Sequence, residues 1–570
     1  MKAENAFDEA KRYEKEKNYG KAVEFYKKAI ERDSKHFRAW FGLGYCYKAL
    51  KMYQESLGAY KKAIELNSGD KATWNNLGSV YISIGNNEKG IEACKKSIKI
   101  DRAYKFPWYN LGEAYKNIDN YEKAIDSYSR AIEIDDKYIW AYWGLGYSYR
   151  QIENLEKSVE IYKKGLELDS EDELGWNNLA VTYLAMEDYI SAKICCRKTI
   201  EINYQYKYAW YNLGEIFKKQ GFYDEAIIAC LQAFKIDQKY ELAIFSLGYC
   251  YKNIGEYEKA IKYYELNIEL SSGDSATWNN LGTCYFGMGD VDKAIDCYKK
   301  AIKFDPDSSL AWNNYGDALS EKKKYHKAIK KFKKALKIDP EYSLAWFNLG
   351  YNYKLLEEYD RAIEAYKKAL ELNPDEKSTL NNLASTYIQI DKFDKAIELA
   401  TKALKLDPRF KFPYANIGRA YYEKKQYKES IRFFLRSLEI DPNYDYAWDC
   451  LADAYNAIEE YDKAKLARTR KLNIEYLLRE TKKFSKFSIM VNKEKKSLVS
   501  ISKEVREKEK PHLDSKSIKK IKKLMKESNK INVKEMQEVL NFDEESFNDL
   551  VIDLVIKFNF KVEGNHLIIN

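Results

Sequence analysis

The sequence is poor in the residues that build chemical sites. Its four histidines, His36, His326, His512 and His566, are scattered along 570 residues. Nine cysteines form no C-x-x-C pair, which argues against a disulfide framework or a thiolate metal site. No glycine-rich phosphate loop follows a strand. No apolar run approaches the roughly 18 residues that a membrane span needs. The first twenty residues, MKAENAFDEAKRYEKEKNYG, are charged and amphipathic, without the apolar core of a signal peptide. These absences point away from an enzyme, a metalloprotein and a membrane protein. The expectation is a cytoplasmic protein with no cofactor, no metal and no small-molecule substrate, its cysteines serving as small core or groove residues in a reducing compartment.

What the sequence has instead is a period. From Ala3 to Leu478 the chain repeats every 34 residues without an insertion or deletion, 14 units in all (14 × 34 = 476). With units beginning at 3, 37, 71 and so on, position 4 is usually tryptophan, as at Trp40, Trp74, Trp108, Trp176 and Trp210. Positions 7 and 8 read Leu-Gly or Leu-Ala, position 11 is mostly aromatic, position 20 is usually alanine, and proline closes five units at position 32, from Pro306 to Pro442. Positions 4, 7, 8 and 11 mark one face of a first helix and positions 20, 24 and 27 the facing side of a second. Small residues at 8 and 20 let the two axes approach, and large ones at 4, 11 and 24 fill the space around them.

This pattern resembles the tetratricopeptide (TPR) repeat in spacing and residue type. The resemblance implies an all-α, right-handed superhelical solenoid of 14 helix hairpins, with first helices lining a concave groove and second helices facing outward. The first unit, with Ala6 and Glu9 in place of Trp and Leu, reads as an end cap, and the last unit's second helix is expected to run on through Lys471 to Leu478.

A second period of 102 residues lies above the first. Gly-Tyr-x-Tyr-Lys/Arg returns at Gly44, Gly146, Gly248 and Gly350, and Asn-Asn-Leu at Asn75, Asn177, Asn279 and Asn381. It divides the array 3–478 into four cassettes, 37–138, 139–240, 241–342 and 343–444, between the end repeats 3–36 and 445–478. Duplication alone accounts for such a period, yet it shows at positions 5, 6, 9 and 12, which the resemblance places in the groove.

Position 6 is asparagine in nine units: Asn76, Asn110, Asn178, Asn212, Asn280, Asn314, Asn348, Asn382 and Asn416. Asparagine is a poor interior helix former, and its carboxamide can satisfy both the C=O and the N–H of a peptide bond. The row is similar to the asparagine ladder of the O-linked GlcNAc transferases, whose equivalent position holds the backbone of an extended substrate, although their catalytic domain is absent here. The alternative is that these asparagines bond to neighbouring helices. Trp140 and Trp143, at positions 2 and 5, are expected to face the groove as an exposed pair and a binding hot spot. Tyr45 with Lys48, Tyr147 with Arg150, Tyr249 with Lys252 and Tyr351 with Lys354 stand three apart as further groove candidates or as local cation–π pairs.

Net charge is +9, from 97 basic and 88 acidic residues. Segment 479–513 alone carries 11 basic against 5 acidic residues and reads as a basic linker. Residues 514–570 resemble a small α+β winged-helix domain, with strands at 531–533, 560–562 and 566–569. Its third helix, bearing Glu544, Glu545, Asp549 and Asp553, repels phosphate, which favours docking to protein over nucleic acid. The reading is an interaction scaffold for extended protein segments. A nucleic-acid-associated regulator acting through the tail, or the substrate-presenting subunit of a separate enzyme, are the alternatives.

Overall fold

The computed structural model describes residues 2–475, 477–478, 530–532, 560–563 and 566–569. Twenty-eight helices, from α1 (Ala3–Lys15) to α28 (Tyr461–Arg468), form 14 antiparallel hairpins on the 34-residue lattice. By its internal contacts the chain divides into two units, Met1–Ser246 and Leu247–Asn570. The division falls inside the helix Glu241–Asn253, within a repeat rather than between repeats.

Both hairpin ends are encoded locally. Position 15 has positive φ in all 14 repeats, a left-handed residue that stops the first helix. Only four of the 14, Gly85, Gly221, Gly255 and Gly289, are glycine. Position 16 then caps the second helix: the side chains of Asn18, Asn86, Asn120, Asn154, Asp188 and Asp290 accept the N–H three residues on.

Where position 24 is aromatic, the glycine at position 8 lies on its ring; at Gly78 and Gly214 it lies on the sulfur of Cys94 and Cys230 instead. A Cβ at Gly112 would stand 2.6 Å from the Tyr128 ring, and one at Gly316 2.6 Å from the ring of Phe332. Those rings are wholly buried. Position 4 does more than fill space. The indole N–H of Trp74, Trp176, Trp312 and Trp346 donates to the carbonyl six residues earlier, at the end of the preceding repeat, at 2.8–2.9 Å. Tyr142 keeps this bond with its hydroxyl, to the carbonyl of Asp136. The side chain thus ties consecutive repeats together, which explains a residue type that volume alone would not require. All nine cysteines are buried free thiols.

The last second helix is shorter than expected. It stops at Arg468, followed by Arg470 at φ 54°, and Leu477 and Leu478 return to the core of the last two repeats. In the tail, β1 (Lys530–Asn532), β3 (His566–Ile569) and β2 (Phe560–Glu563) form an antiparallel sheet in the order β1-β3-β2. β3 falls where the sequence places it, β2 runs on one residue to Glu563, and β1 begins one residue before the expected 531. The helices expected between them, most of the winged-helix-like domain and nearly all of the linker 479–513 lie outside the described residues.

Candidate binding surface

Most of the exposed large apolar side chains of the first helices stand at position 2. Phe106, Trp140, Tyr208, Leu310, Leu344, Phe412 and Tyr446 all stand exposed there. Position 5 does not share that face. Four of its aromatic side chains lie on the position-24 tyrosine of their own hairpin, Phe41 on Tyr60, Tyr109 on Tyr128, Trp143 on Tyr162 and Phe347 on Tyr366, with ring centroids 5.8–6.0 Å apart, and Tyr211 lies against Tyr240 at 5.4 Å.

The expected tryptophan pair is therefore split. Trp140, in α9 (Ile139–Gln151), is 51% exposed, whereas Trp143 in the same helix is 4% exposed. Trp143 projects inward, its indole N–H 3.3 Å from Asp172 Oδ2. The room comes from two glycines found at their lattice positions only here, Gly165 in α10 (Leu155–Leu168) and Gly175 in α11 (Glu173–Ala185). A Cβ at either would come within 2.5 Å of the indole. Trp143 is a core residue, and Gly165 and Gly175 are the sequence signal for it.

The asparagines form a ladder, but its rungs are tied to the protein. None of the nine is fully exposed, and Asn212 is buried. The side-chain N–H of Asn110, Asn212, Asn314, Asn348 and Asn416 donates to the carboxamide oxygen at position 5 of the preceding repeat, on Asn75, Asn177, Asn279, Asn313 and Asn381, at 2.8–3.1 Å. The other four lack this bond. Asn382 donates back to the carbonyl of Ser378, Asn76 accepts from Asn75, Asn280 accepts from Lys252, and Asn178 receives Arg150 on its backbone carbonyl. Asparagine at position 6 thus serves packing where the preceding repeat carries a buried asparagine at position 5, as at Asn110, Asn212, Asn314 and Asn348. The anchoring spends one of two N–H groups and leaves the rest of the carboxamide held in a fixed orientation.

Replacing Asn212 by alanine is expected to cost about 1–3 kcal/mol, because the buried Asn177 oxygen loses its donor. Chemical denaturation and hydrogen exchange of the flanking helices check it.

The tyrosine–cation pairs hold in part. Lys252 lies over the ring of Tyr249 at 4.8 Å, and Arg150 over Tyr147 at 5.2 Å. Lys48 and Lys354 instead reach the next repeat and donate to Ser79 Oγ at 2.6 Å and Ser385 Oγ at 2.8 Å. Tyr45 and Tyr351 remain exposed. Burial lowers the ammonium pKa of Lys48, Lys252 and Lys354.

One cluster was not read from the sequence. In the third repeat of three cassettes a position-1 lysine pairs with an aspartate 30 residues on, as Lys207 with Asp237 at 2.6 Å, Lys105 with Asp135 and Lys411 with Asp441. Each lysine lies on the rings around position 2, such as Tyr208 and Tyr240 at Lys207. The returning Lys, Asp and aromatic residues at positions 1, 31 and 34 were its available signal.

Family models described as "Tetratricopeptide repeat" match residues 7–36, 37–70, 72–104, 107–138, 141–172, 175–206, 208–240, 243–274, 275–308, 297–330, 343–376, 365–398 and 412–444, and one described as "TPR repeat" matches 316–356. Among solved structures, the chain is similar to one titled "Crystal structure of APC/C hetero-tetramer Cut9-Hcn1", at 14% identity and TM-score 0.42, over 74% of this chain and 96% of that one. Two structures of MamA match at 24% identity, with TM-scores of 0.28 and 0.27, over 30% and 28% of this chain and 92% and 94% of theirs. No curated protein matches the sequence.

Proposed function

We propose, for a chain that belongs to the tetratricopeptide repeat proteins, that it is a scaffold holding extended segments of partner proteins along its first helices. The observation that carries this reading is the asparagine ladder. Carboxamides anchored on one side and repeated at 34-residue spacing suit a peptide backbone, whose C=O and N–H groups ask for paired donors and acceptors. Beside the ladder runs the position-2 row of exposed rings and leucines, the residue class that dominates interface energetics. No helix among the described residues is long and apolar enough to cross a membrane, and they hold no group of three or more His, Cys, Asp or Glu arranged for a metal.

The test separates binding from folding. Trp140→Ala is expected to weaken a partner captured by the full chain by at least about 2 kcal/mol, with stability changed by no more than roughly 0.5 kcal/mol. Isothermal titration and thermal melts of the same variant decide it. Unchanged affinity removes position 2 from the binding surface. Unchanged affinity in a folded Asn110→Ala/Asn314→Ala variant as well would confine the ladder to internal bonding and defeat the reading.

A further inference from the structure

Positions 9, 12 and 24 carry a recurring triad. In the repeat beginning at Lys105, Glu113 accepts the Tyr128 hydroxyl at 2.5 Å and the Lys116 ammonium at 2.7 Å. In the first repeat the carboxylate is Glu14, which accepts from Tyr26 and, at 2.9 Å, from Lys11. In the repeat beginning at Lys207, position 24 is Cys230. Glu215 there receives Lys218 at 2.5 Å and, in place of a tyrosine, the Ser246 hydroxyl at 2.6 Å. All three are closed sets of one carboxylate, one ammonium and one hydroxyl.

The first repeat of every cassette keeps the cation and the position-24 tyrosine but lacks the carboxylate. Position 9 is tyrosine there: Tyr147 with Arg150 and Tyr162, Tyr351 with Lys354 and Tyr366, and likewise around Lys48 and Lys252. The rings of Tyr162 and Tyr366 are fully buried, and their hydroxyls meet no hydrogen-bond partner. Among the described residues, none of the four cations forms a salt bridge. Their hydrogen-bond acceptors are the hydroxyls of Ser79 and Ser385, the backbone carbonyl of Asn178 and the Asn280 carboxamide, all neutral. At all four places the cation lacks a carboxylate, and in the repeats of Arg150 and Lys354 the position-24 hydroxyl is unpartnered as well, which is what the closed triad becomes when its carboxylate is removed.

We propose that each of these four places receives a carboxylate from an acidic extended segment of a partner protein, an Asp or Glu side chain standing where Glu113 stands in its own repeat. This deepens the scaffold reading and rests on it. Two such places lie in each unit of the chain, 102 residues apart in sequence. The position-9 tyrosine beside the cation, 41% exposed at Tyr351, is the side chain that a carboxylate moves aside. The proposal makes the 102-residue period a binding period, since the triad opens once per cassette.

The probe is fluorescein-labelled poly-L-glutamate of about 20 residues, read by anisotropy on the full chain, beside an uncharged Ser/Gln peptide of equal length. Poly-L-glutamate is expected to bind at least tenfold more tightly than the Ser/Gln peptide. The K48M/K354M double variant should lose at least tenfold, whereas K95M/K367M, which removes the same charge from exposed positions on second helices, stays within about twofold. Y351E supplies the carboxylate within the chain, so it should weaken poly-L-glutamate and slow hydrogen exchange in its own repeat. Equal loss in K48M/K354M and K95M/K367M overturns the proposal, as does equal binding of the two peptides. If the Ser/Gln peptide binds as well as poly-L-glutamate and loses affinity in Asn110→Ala/Asn314→Ala, the scaffold reading survives and only the carboxylate sites fail.

Discussion

Trp143→Ala is expected to destabilise the repeats around it by about 3–5 kcal/mol, the cost of emptying a large aromatic from a close-packed core. The indole is buried between α9, α10 and α11, over Gly165 and Gly175 and against the Tyr162 ring at 6.0 Å. Alanine leaves a cavity that two glycines cannot fill. Each repeat of a solenoid touches only its neighbours, so the loss stays local. Hydrogen exchange should therefore show earlier opening of α9 to α11 while residues 309–444 keep wild-type protection. The companion prediction is that Gly165→Ala in wild type is destabilising, because its Cβ would lie 2.4 Å from the indole. In the Trp143→Leu background the same substitution should be neutral or stabilising, since the clash is gone. Protection of α9 to α11 unchanged in Trp143→Ala would return Trp143 to the surface.

Gly144→Val is expected to cost about 3 kcal/mol, at the upper end of what overpacking does. Position 6 carries glycine only at Gly42 and Gly144, each following a repeat whose position-24 tyrosine donates to a glutamate. A Cβ at Gly144 would stand 2.4 Å from the Tyr128 ring, and that ring cannot retreat without breaking its bond to Glu113. Tyr128→Leu removes the ring and should recover part of the loss in the double variant, a coupling that a denaturation cycle measures. Additive losses would mean that glycine serves some purpose other than passage of the tyrosine.

Much of this was legible in the residues themselves. The helix hairpins, their number and their pairing followed from a period kept without slippage, because a 34-residue lattice admits one register. The small residues at position 8 and the rings at 24 announced the packing inside most hairpins, and the three tail strands lie within one residue of where the sequence puts them. Position 5 was misread. A first helix presents about three faces, and the pattern alone does not say whether residue 5 turns toward solvent with residue 2 or toward the partner helix. Phe41, Tyr109 and Trp143 on their tyrosines settle that it turns inward.

The asparagine row shows the same boundary. Its existence and spacing are sequence facts, and its suitability for a peptide backbone is carboxamide chemistry. That Asn212 is tied to Asn177, one repeat earlier, is a contact across 35 residues that no local propensity encodes. What the sequence determined by itself is everything fixed by local periodicity: helices, turns, caps and the repeat count. What only the tertiary structure decided is which polar groups the stacked repeats satisfy among themselves and which, like the hydroxyls of Tyr162 and Tyr366, they leave open. Hydrogen-bond satisfaction depends on atoms brought together by stacking, and a sequence lists the donors without saying where the acceptors will stand.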